Sequence, residues 1–222
     1  MTFSSDWNNI YLQNHQLSIW PWSDLVGYVN RYAMPLPKSA KVLEIGFGAG
    51  ANIPFFLSIG ANYYGIEGSE IIVERVRERY PELKDRLIAG DFITYDFQDK
   101  YDLLIDRSSM THNTEDAIRA GLRNMSNAMN KGAKYIGIDW FSTSCSDYSV
   151  GVAVDKFTRY YESDSPFAGV GNVHFSNKEH IAELFGEAGF KLTRLSHKLN
   201  HNEIPNPGHL FATWNFVAEK VD

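Results

Sequence analysis

Three glycines follow a short apolar run in the stretch KVLEIGFGAG. Glycine adopts backbone conformations that other residues avoid, and it lets a ligand approach the main chain closely. Gly46, Gly48 and Gly50 therefore predict a turn that contacts a ligand. Phe47 lies within this turn, and the carboxylate of Glu44 precedes its first glycine by two residues. The ligand would thus meet both main-chain amides and a negative charge.

The glycine spacing alone fits more than one ligand. GFGAGA satisfies the dinucleotide pattern G-x-G-x-x-G/A, which is weak evidence, whereas a phosphate-binding P-loop is excluded because no Gly-Lys-Ser/Thr follows. Glu44 disfavours a pyrophosphate, since the N-terminus of the following helix is arranged to receive negative charge. A cofactor that carries an ammonium group, such as S-adenosylmethionine, would tolerate or favour this carboxylate.

Two later motifs are typical of a site for a nucleoside. Glu67 ends the next predicted strand, just before Gly68, and its carboxylate can accept hydrogen bonds from both hydroxyls of a ribose. Asp91 and Phe92 follow a third strand in the stretch GDF. The carboxylate can accept from the exocyclic amine of an adenine while the aromatic ring stacks on the base. This pair favours S-adenosylmethionine over a nicotinamide dinucleotide.

The elements that carry these motifs alternate between strand and helix. Apolar runs predict strands at 41–45, 62–68, 85–91, 101–109 and 133–141. Helical patterns lie between them at 51–59, 69–80 and 114–130, with a turn at 130–132. Such alternation predicts a parallel sheet with helices on both faces. After a helix at 176–189, FKLTRLSHKL and HLFATWNFVAEK predict two final strands that pair antiparallel.

In this order the motifs resemble those of the class I S-adenosylmethionine-dependent methyltransferases, from Lys41 to Lys220. The resemblance implies an α/β, Rossmann-like class I methyltransferase fold. Its sheet would have seven strands, mostly parallel, in the order 3-2-1-4-5-7-6, with strand 7 antiparallel and helices on both faces. It also implies methyl transfer from S-adenosylmethionine to an oxygen or nitrogen of a small molecule, with S-adenosylhomocysteine as product. The stretch DWFSTSCSDYSVG resembles small methyltransferases associated with surface-polysaccharide modification, which suggests a sugar-related acceptor.

The resemblance also implies which residues hold the cofactor. Glu44 and the glycine turn would face the methionine portion of the cofactor, and residues 106–108 would contact the same portion through their backbone atoms. Glu67 would bind the ribose, and Asp91 and Phe92 would face the adenine. The predicted cofactor contacts are Glu44, Gly46, Phe47, Gly48, Gly50, Glu67, Gly68, Asp91, Phe92, Asp106 and Arg107.

The acceptor is expected at the same edge of the sheet. His112 follows the fourth strand, where a histidine that titrates in its normal range can take a proton from an acceptor hydroxyl or amine. Asp139, Trp140 and His174 flank the same edge as further pocket candidates. Trp22 would cover the cofactor or pin the N-terminal helix to the sheet.

Composition bounds the remaining possibilities. The chain of 222 residues is predicted to be one domain (1–222), with a helical cap at 1–38 and an acceptor-site insertion at 142–175. A net charge of −6 without a basic block argues against a nucleic-acid partner. The single cysteine and the histidine spacing predict no disulfide and no metal site, and the polar N-terminus predicts no leader. A cytoplasmic enzyme without a membrane partner is expected.

Two alternatives share part of this pattern. A nicotinamide-dependent oxidoreductase has the same first turn and ribose carboxylate. It leaves unexplained Glu44, the Asp91–Phe92 pair and the final antiparallel strands. A non-catalytic protein that binds S-adenosylmethionine as a regulatory signal would keep every motif.

Overall fold

The computed structural model describes residues 6–13, 17–163 and 165–221. The parts of the predicted cap at 1–5 and 14–16 lie outside the described residues. Six α-helices are assigned in these ranges: α1 (Asp6–Leu12), α2 (Ser23–Tyr32), α3 (Ile53–Ser58), α4 (Glu70–Arg79), α5 (Glu115–Ala128) and α6 (Lys178–Glu187). Short 3-10 helices occur at Pro81–Arg86, Met110–His112 and Ser146–Ser149.

The strands form one large and one small sheet. The first five strands are β1 (Lys41–Ile45), β2 (Asn62–Glu67), β3 (Leu87–Ala89), β4 (Tyr101–Arg107) and β5 (Met129–Phe141). The remaining strands are β6 (Val152–Ala153), β7 (Thr158–Tyr160), β8 (Asn172–His174), β9 (Phe190–His201) and β10 (Leu210–Lys220).

The large sheet has the predicted topology. Its order is β3-β2-β1-β4-β5-β10-β9, which is 3-2-1-4-5-7-6 when its own strands are numbered. The first five strands pair in parallel, whereas β10 pairs antiparallel with both β5 and β9. The Rossmann-like class I methyltransferase fold expected from the sequence is therefore confirmed.

Apolar side chains on the two faces of this sheet pack against separate layers of helices. On one face, Leu43, Leu104 and Tyr135 belong to a buried cluster with residues of α5 and α6. Their neighbours Val42 and Ile136 belong to a second cluster with residues of α2, α3 and α4. Successive strand residues point to opposite faces, so each central strand contributes to both layers.

Three local predictions were inaccurate. The helix predicted from residue 51 begins at Ile53, because Gly50 has a φ of +79° and the Asn52 side chain bonds outside the helix, to Glu44. The turn predicted at 130–132 is an irregular part of β5, which already begins at Met129 and shifts register against β4. Helix α1 was not predicted as a separate element.

The segment predicted to be an acceptor-site insertion, 142–175, has structure of its own. Its strands β6, β7 and β8 form a three-stranded antiparallel sheet. Phe175 follows this sheet and packs with Phe141, at the end of β5, in a third buried cluster. The segment is thereby attached to the strand end where the acceptor is expected.

Candidate active site

A cavity of about 400 Å³ opens at the carboxyl ends of the first five strands. Ligands of open α/β sheets bind outside these strand ends, where the connections diverge. The following predicted site residues line the cavity: Glu44, Gly46, Phe47, Gly48, Glu67, Gly68, Asp91, Phe92, Arg107, His112, Asp139 and Trp22. The fold thus gathers most of the predicted set around one cavity.

The glycine turn brings main chain to the cavity wall. Gly46 and Gly48 have φ values of +62° and +52°, a region that side chains with a Cβ rarely adopt. A Cβ on Gly46 would lie 2.0 Å from the Ser109 hydroxyl oxygen, so the turn and the end of β4 are in direct contact. Gly50 does not line the cavity, because a Cβ there would meet Ile53 and Val76 of the core. In the structure this glycine packs against the core.

Glu67 is held rigidly at the end of β2. Its Oε2 accepts the Gly48 amide at 3.1 Å and its Oε1 accepts the Ser69 amide at 3.0 Å. Burial raises the pKa of Glu67, and these amides together with that of Gly68 oppose the shift. Each carboxylate oxygen can accept a second hydrogen bond. Two acceptor positions are therefore available to a ligand's hydroxyl groups.

Glu44 is buried beneath the turn. Its Oε1 accepts from the Asn52 amide at 2.7 Å and its Oε2 from the Tyr63 hydroxyl at 2.7 Å. Burial raises the pKa of Glu44 to about 7, against the effect of these two bonds and of the nearby Arg107. The site therefore holds a carboxylate whose charge depends on what binds beside it.

Asp91 and Phe92 reach the cavity from the end of β3. The Asp91 carboxylate accepts the Ile93 amide at 3.0 Å. The carbonyl of Phe92 accepts from Asn124 at 2.9 Å, and its ring packs partly against the core formed by α5. Both are thus fixed by their own loop and by α5, and both face the cavity.

Arg107 is the centre of a charged group beyond β4. Its guanidinium lies 3.6 Å from the ring centroid of Trp22 and donates to Asp139 Oδ2 at 3.2 Å. The opposite oxygen of Asp139 accepts from Lys198 at 2.9 Å. The Arg107 Nε is buried and has no hydrogen-bond partner in the described part of the chain.

Asp139 and the neighbouring Ser108 have φ values of +57° and +59°. Such conformations are strained for these residues and cluster at functional sites.

His112 also lines the cavity and contacts two aromatic rings. Its ring meets Trp7 and Phe141 edge to face, at centroid distances of 5.0 and 5.8 Å. Burial lowers the pKa of His112 to about 4, while the backbone at Asn172 and Val170 partly opposes the shift. The expectation that this histidine titrates in its normal range is therefore wrong, and it is neutral near pH 7.

Asp106 was expected to contact the cofactor through its backbone and Trp140 to flank the acceptor, and the side chains of both lie in the core. The Asp106 carboxylate accepts from Trp140 Nε1 at 2.6 Å and from the Tyr135 hydroxyl at 3.0 Å. It also accepts the amides of Ser109 and Met110, which shapes the chain after β4. Neither side chain lines the cavity. Adjacent strand residues face opposite ways, so Arg107 and Asp139 turn to the cavity while Asp106 and Trp140 turn away.

Replacing Trp140 with phenylalanine should destabilise the fold. The variant keeps an aromatic ring but leaves the buried Asp106 carboxylate without one hydrogen bond, a loss of about 1–3 kcal/mol in the free energy of unfolding. Urea unfolding measures the difference. Trp20→Phe is the matched control, because Trp20 is 74% exposed and should show no change. Equal stability of wild type and Trp140→Phe would contradict the structural role.

His174 is also a core residue. Its Nδ1 lies 2.9 Å from the Thr158 hydroxyl and its Nε2 lies 3.1 Å from His180 Nε2. It does not line the cavity. The short strand β8 turns its side chain toward the helix α6, so the predicted pocket role is not supported by its position.

Several lining residues were missed by sequence reasoning. Trp7 and Tyr11 reach the cavity from α1, and a Cβ on Gly48 would lie 3.2 Å from the Tyr11 hydroxyl. Phe141, Phe167 and Phe211 form an aromatic wall. The aromatic residues of 142–175 indicated that this segment packs, but nothing in the sequence connects positions so far apart.

Two kinds of feature are absent from the described residues. No helix among them combines the length and the apolar character that crossing a membrane requires. Nor do three histidine, cysteine or acidic side chains within them cluster as ligands for a metal ion.

Known proteins resemble this chain in sequence and in fold. A methyltransferase-domain family model matches residues 42–132. An uncharacterized methyltransferase of Bacillus cereus is 25% identical over 158 residues, which cover 70% of this chain and 73% of that protein.

Solved structures share the fold at lower identity. A Burkholderia thailandensis 1,6-didemethyltoxoflavin-N1-methyltransferase, solved with 1,6-didemethyltoxoflavin and S-adenosylhomocysteine, superposes with a TM-score of 0.69 at 18% identity, covering 98% of this chain and 87% of that one. An amino pentose methyltransferase of Micromonospora echinaspora superposes with a TM-score of 0.63 at 18% identity, covering 99% and 98%.

The sheet order and the position of the cavity define a Rossmann-like class I fold. Together with the methyltransferase-domain match and the methyltransferase relatives, they support a class I S-adenosylmethionine-dependent methyltransferase. The family match favours this activity over the nicotinamide-dependent and non-catalytic alternatives.

Proposed function

We propose that this methyltransferase methylates an oxygen or nitrogen of a small molecule, which binds in the same cavity as the cofactor. The observation that carries the proposal is the continuity of this cavity. One part of its lining has the glycine turn and carboxylates, and another has His112 and aromatic side chains. Donor and acceptor would therefore meet within one cavity. Such alignment supplies most of the catalysis that methyl transfer needs.

The residues of the first part fit S-adenosylmethionine. Gly46 and Gly48 bring main chain to the cavity wall, and Glu67 keeps two acceptor positions for ribose hydroxyls. Asp91 and Phe92 would hold the adenine. Arg107, with its unpaired Nε, would receive the carboxylate of the methionine portion, and Glu44 its ammonium group. The ammonium group, the carboxylate and the ribose hydroxyls of the cofactor would then each have a partner.

When bound, the cofactor supplies an electrophilic methyl group on a positively charged sulfur. The chain's own work is to align the acceptor and to exclude water. Trp7, Phe141 and Phe167 would provide the apolar surroundings. These favour a step in which charge on sulfur is lost.

His112 would receive the proton that the acceptor loses. With a pKa of about 4 it is a weak base toward a free hydroxyl group. An oxygen or nitrogen that has gained a methyl group becomes far more acidic. A weak base is therefore sufficient once the new bond has formed, and the acceptor must be nucleophilic in its neutral form.

The acceptor is proposed to be a small molecule. The structural neighbours support this, since one is an amino pentose methyltransferase and another was solved with 1,6-didemethyltoxoflavin bound. The sequence resemblance suggested a sugar-related acceptor. The part of the lining around His112, which we call the acceptor end, is mainly aromatic and includes Trp7, Phe141, Phe167 and Phe211.

Calorimetric titration with S-adenosylhomocysteine, and separately with NAD, tests the proposed cofactor site. Binding of S-adenosylhomocysteine alone is expected. Formation of S-adenosylhomocysteine from S-adenosylmethionine in the presence of small-molecule acceptors then tests the reaction. Binding of NAD but not S-adenosylhomocysteine would overturn the proposal.

The affinity for S-adenosylhomocysteine should rise with pH. In the free protein the pKa of Glu44 is about 7, and an ammonium group beside it would lower that value by favouring the charged form. Binding below pH 7 must then release a proton. Raising the pH from 6 to 8 should strengthen binding by about tenfold, with little further gain above that range.

Calorimetry at pH 6, 7 and 8, in buffers of different ionisation enthalpy, measures both the affinity and the released proton. Glu44→Gln should bind more weakly and lose this pH dependence. Asp106 and Arg107 also interact with Glu44, so the variant is needed to assign the effect. A pH profile that Glu44→Gln leaves unchanged would assign the titration to another group.

A further inference from the structure

The acceptor end of the cavity is built mainly from flat apolar rings. The rings of Phe141 and Phe167 meet edge to face at a centroid distance of 4.8 Å. Phe211 lies nearly parallel to Phe167 at 6.3 Å, and Trp7 meets His112 edge to face at 5.0 Å. Pro166 and Val170 complete this lining. Aromatic surfaces so arranged favour a ligand that also presents a ring.

The wall is fixed in place rather than adaptable. The Phe167 amide donates to the Ser165 hydroxyl at 3.1 Å, and that hydroxyl donates to Asp147 at 3.1 Å. Asp147 is in turn bonded to His209, in the connection between β9 and β10, at 2.9 Å. The position of Phe167 is therefore determined by the 142–175 segment and by the final hairpin together.

The polar groups around this wall are mostly engaged already. The Asn113 amide nitrogen donates to the carbonyls of Met110 and Ser109, at 3.2 and 3.5 Å. The Asp139 carboxylate is shared by Arg107 and Lys198. A sugar would bury several hydroxyl groups here with few partners, and each unpaired group costs about 1–3 kcal/mol. A ring with one polar edge avoids this cost.

His112 is a polar group of the lining that keeps an unused position. Its Nδ1 is buried and lacks a hydrogen-bond partner of normal geometry among the described residues. Its ring is held between Trp7 and Phe141. A ligand that lies among these rings and carries one donor or acceptor toward His112 would satisfy both features of the site.

We propose that the methyl acceptor is a planar aromatic or heteroaromatic molecule, held by Trp7, Phe141 and Phe167 with its hydroxyl or ring nitrogen next to His112. This inference rests on the proposed function and specifies its substrate. A lone pair on the acceptor oxygen or nitrogen forms the new bond to the methyl carbon. The carbon–sulfur bond breaks and its electrons remain on sulfur. The acceptor proton passes to His112 and then to water.

Binding of ring and sugar probes to the protein saturated with S-adenosylhomocysteine tests this assignment. The ring probes are 7-hydroxycoumarin and lumazine, and the sugar probes are glucosamine and galactose. The ring probes should bind and the sugars should not. Phe167→Ala should weaken ring binding by about tenfold or more while it changes the affinity for S-adenosylhomocysteine by less than about twofold.

Two further variants keep the test decisive. Tyr160→Ala alters an exposed ring of the same small sheet that is not part of the cavity lining, and it should change neither affinity. Should Phe167→Ala fail to fold, Trp7→Ala removes the opposite ring and should weaken ring binding to a similar extent. The variants' affinity for S-adenosylhomocysteine reports whether they are folded.

The outcomes separate the two proposals. If S-adenosylhomocysteine does not bind, the proposed function itself fails. If it binds but neither ring probe does, or if the sugars bind instead, only the assignment of a planar acceptor is overturned. Ring binding that neither Phe167→Ala nor Trp7→Ala weakens would also overturn it.

Discussion

Glu67→Gln should weaken the binding of S-adenosylhomocysteine by roughly 30- to 140-fold. Both carboxylate oxygens accept a backbone amide in the free protein, at 3.1 Å from Gly48 and 3.0 Å from Ser69. Each oxygen keeps one further acceptor position for a ribose hydroxyl. Glutamine replaces one oxygen with an NH₂ group that can accept from neither the backbone nor the ligand. A lost hydrogen bond to a charged group is worth about 2–3 kcal/mol, and about 1.4 kcal/mol corresponds to a factor of ten in affinity.

Glu70→Gln is the matched control for this substitution. Glu70 lies three residues further on, in the first turn of α4, where it is exposed and outside the cavity lining. Glu70→Gln makes the same chemical change and should leave the affinity for S-adenosylhomocysteine within about twofold of the wild-type value. Calorimetry on both variants measures the difference, with thermal unfolding of each ligand-free protein as a check of folding. Wild-type affinity in a folded Glu67→Gln would remove Glu67 from the proposed cofactor site.

Local patterns in the sequence were sufficient for the fold and for one side of the cavity. The glycine turn, Glu67 and the Asp91–Phe92 pair each follow a strand directly, so the order of the strands alone brings them to one edge. The alternation of strand and helix and the two final apolar runs predicted a parallel sheet that ends in an antiparallel pair, and the family resemblance implied the strand order that the structure has. These features depend on contacts between neighbours in sequence or on general rules of parallel sheets.

The direction of side chains at strand ends divides two pairs of predicted site residues. Asp106 and Arg107 were expected to contact the cofactor through backbone atoms, and their side chains point to opposite faces because consecutive strand residues alternate. Leu104 and Asp106 share the face that contacts Tyr135, whereas Arg107 reaches the cavity. Asp139 and Trp140 divide in the same way. A stricter use of the two-residue period would have separated each pair.

The aromatic wall could not be predicted by any local rule. Trp7, Phe141, Phe167 and Phe211 come from four distant parts of the chain. They meet because the 142–175 segment, the final hairpin and α1 all fold toward the same strand end. The altered pKa of His112 has the same origin, since it results from burial by residues far away in sequence. Sequence reasoning placed the histidine correctly but assumed a solvated environment.

Gly46→Ala should abolish cofactor binding and destabilise the fold. The new methyl group would lie 2.0 Å from the Ser109 hydroxyl oxygen and 2.5 Å from the Ser109 Cβ, distances at which atoms must move. Ser109 cannot move freely, because its amide donates to Asp106 Oδ1 at 2.8 Å and its hydroxyl to the Gly46 carbonyl at 3.2 Å. The φ of +62° adds about 1–2 kcal/mol for a residue that has a Cβ. The turn would shift away from the cavity wall, and an affinity loss above about 100-fold, roughly 3 kcal/mol, is expected.

Two companion variants separate the steric clash from the backbone strain. Gly60 has a φ of +68°, and no atom lies within 4 Å of the position that an added methyl group would take, so Gly60→Ala carries the strain without the clash. It should lose about 1–2 kcal/mol of stability and keep its affinity for S-adenosylhomocysteine. Ser109→Gly introduced into Gly46→Ala removes the clashing atoms and should restore part of the binding. If Gly46→Ala instead binds like Gly60→Ala, the contact between the glycine turn and the end of β4 does not position the cofactor, because strain alone would then account for its effect.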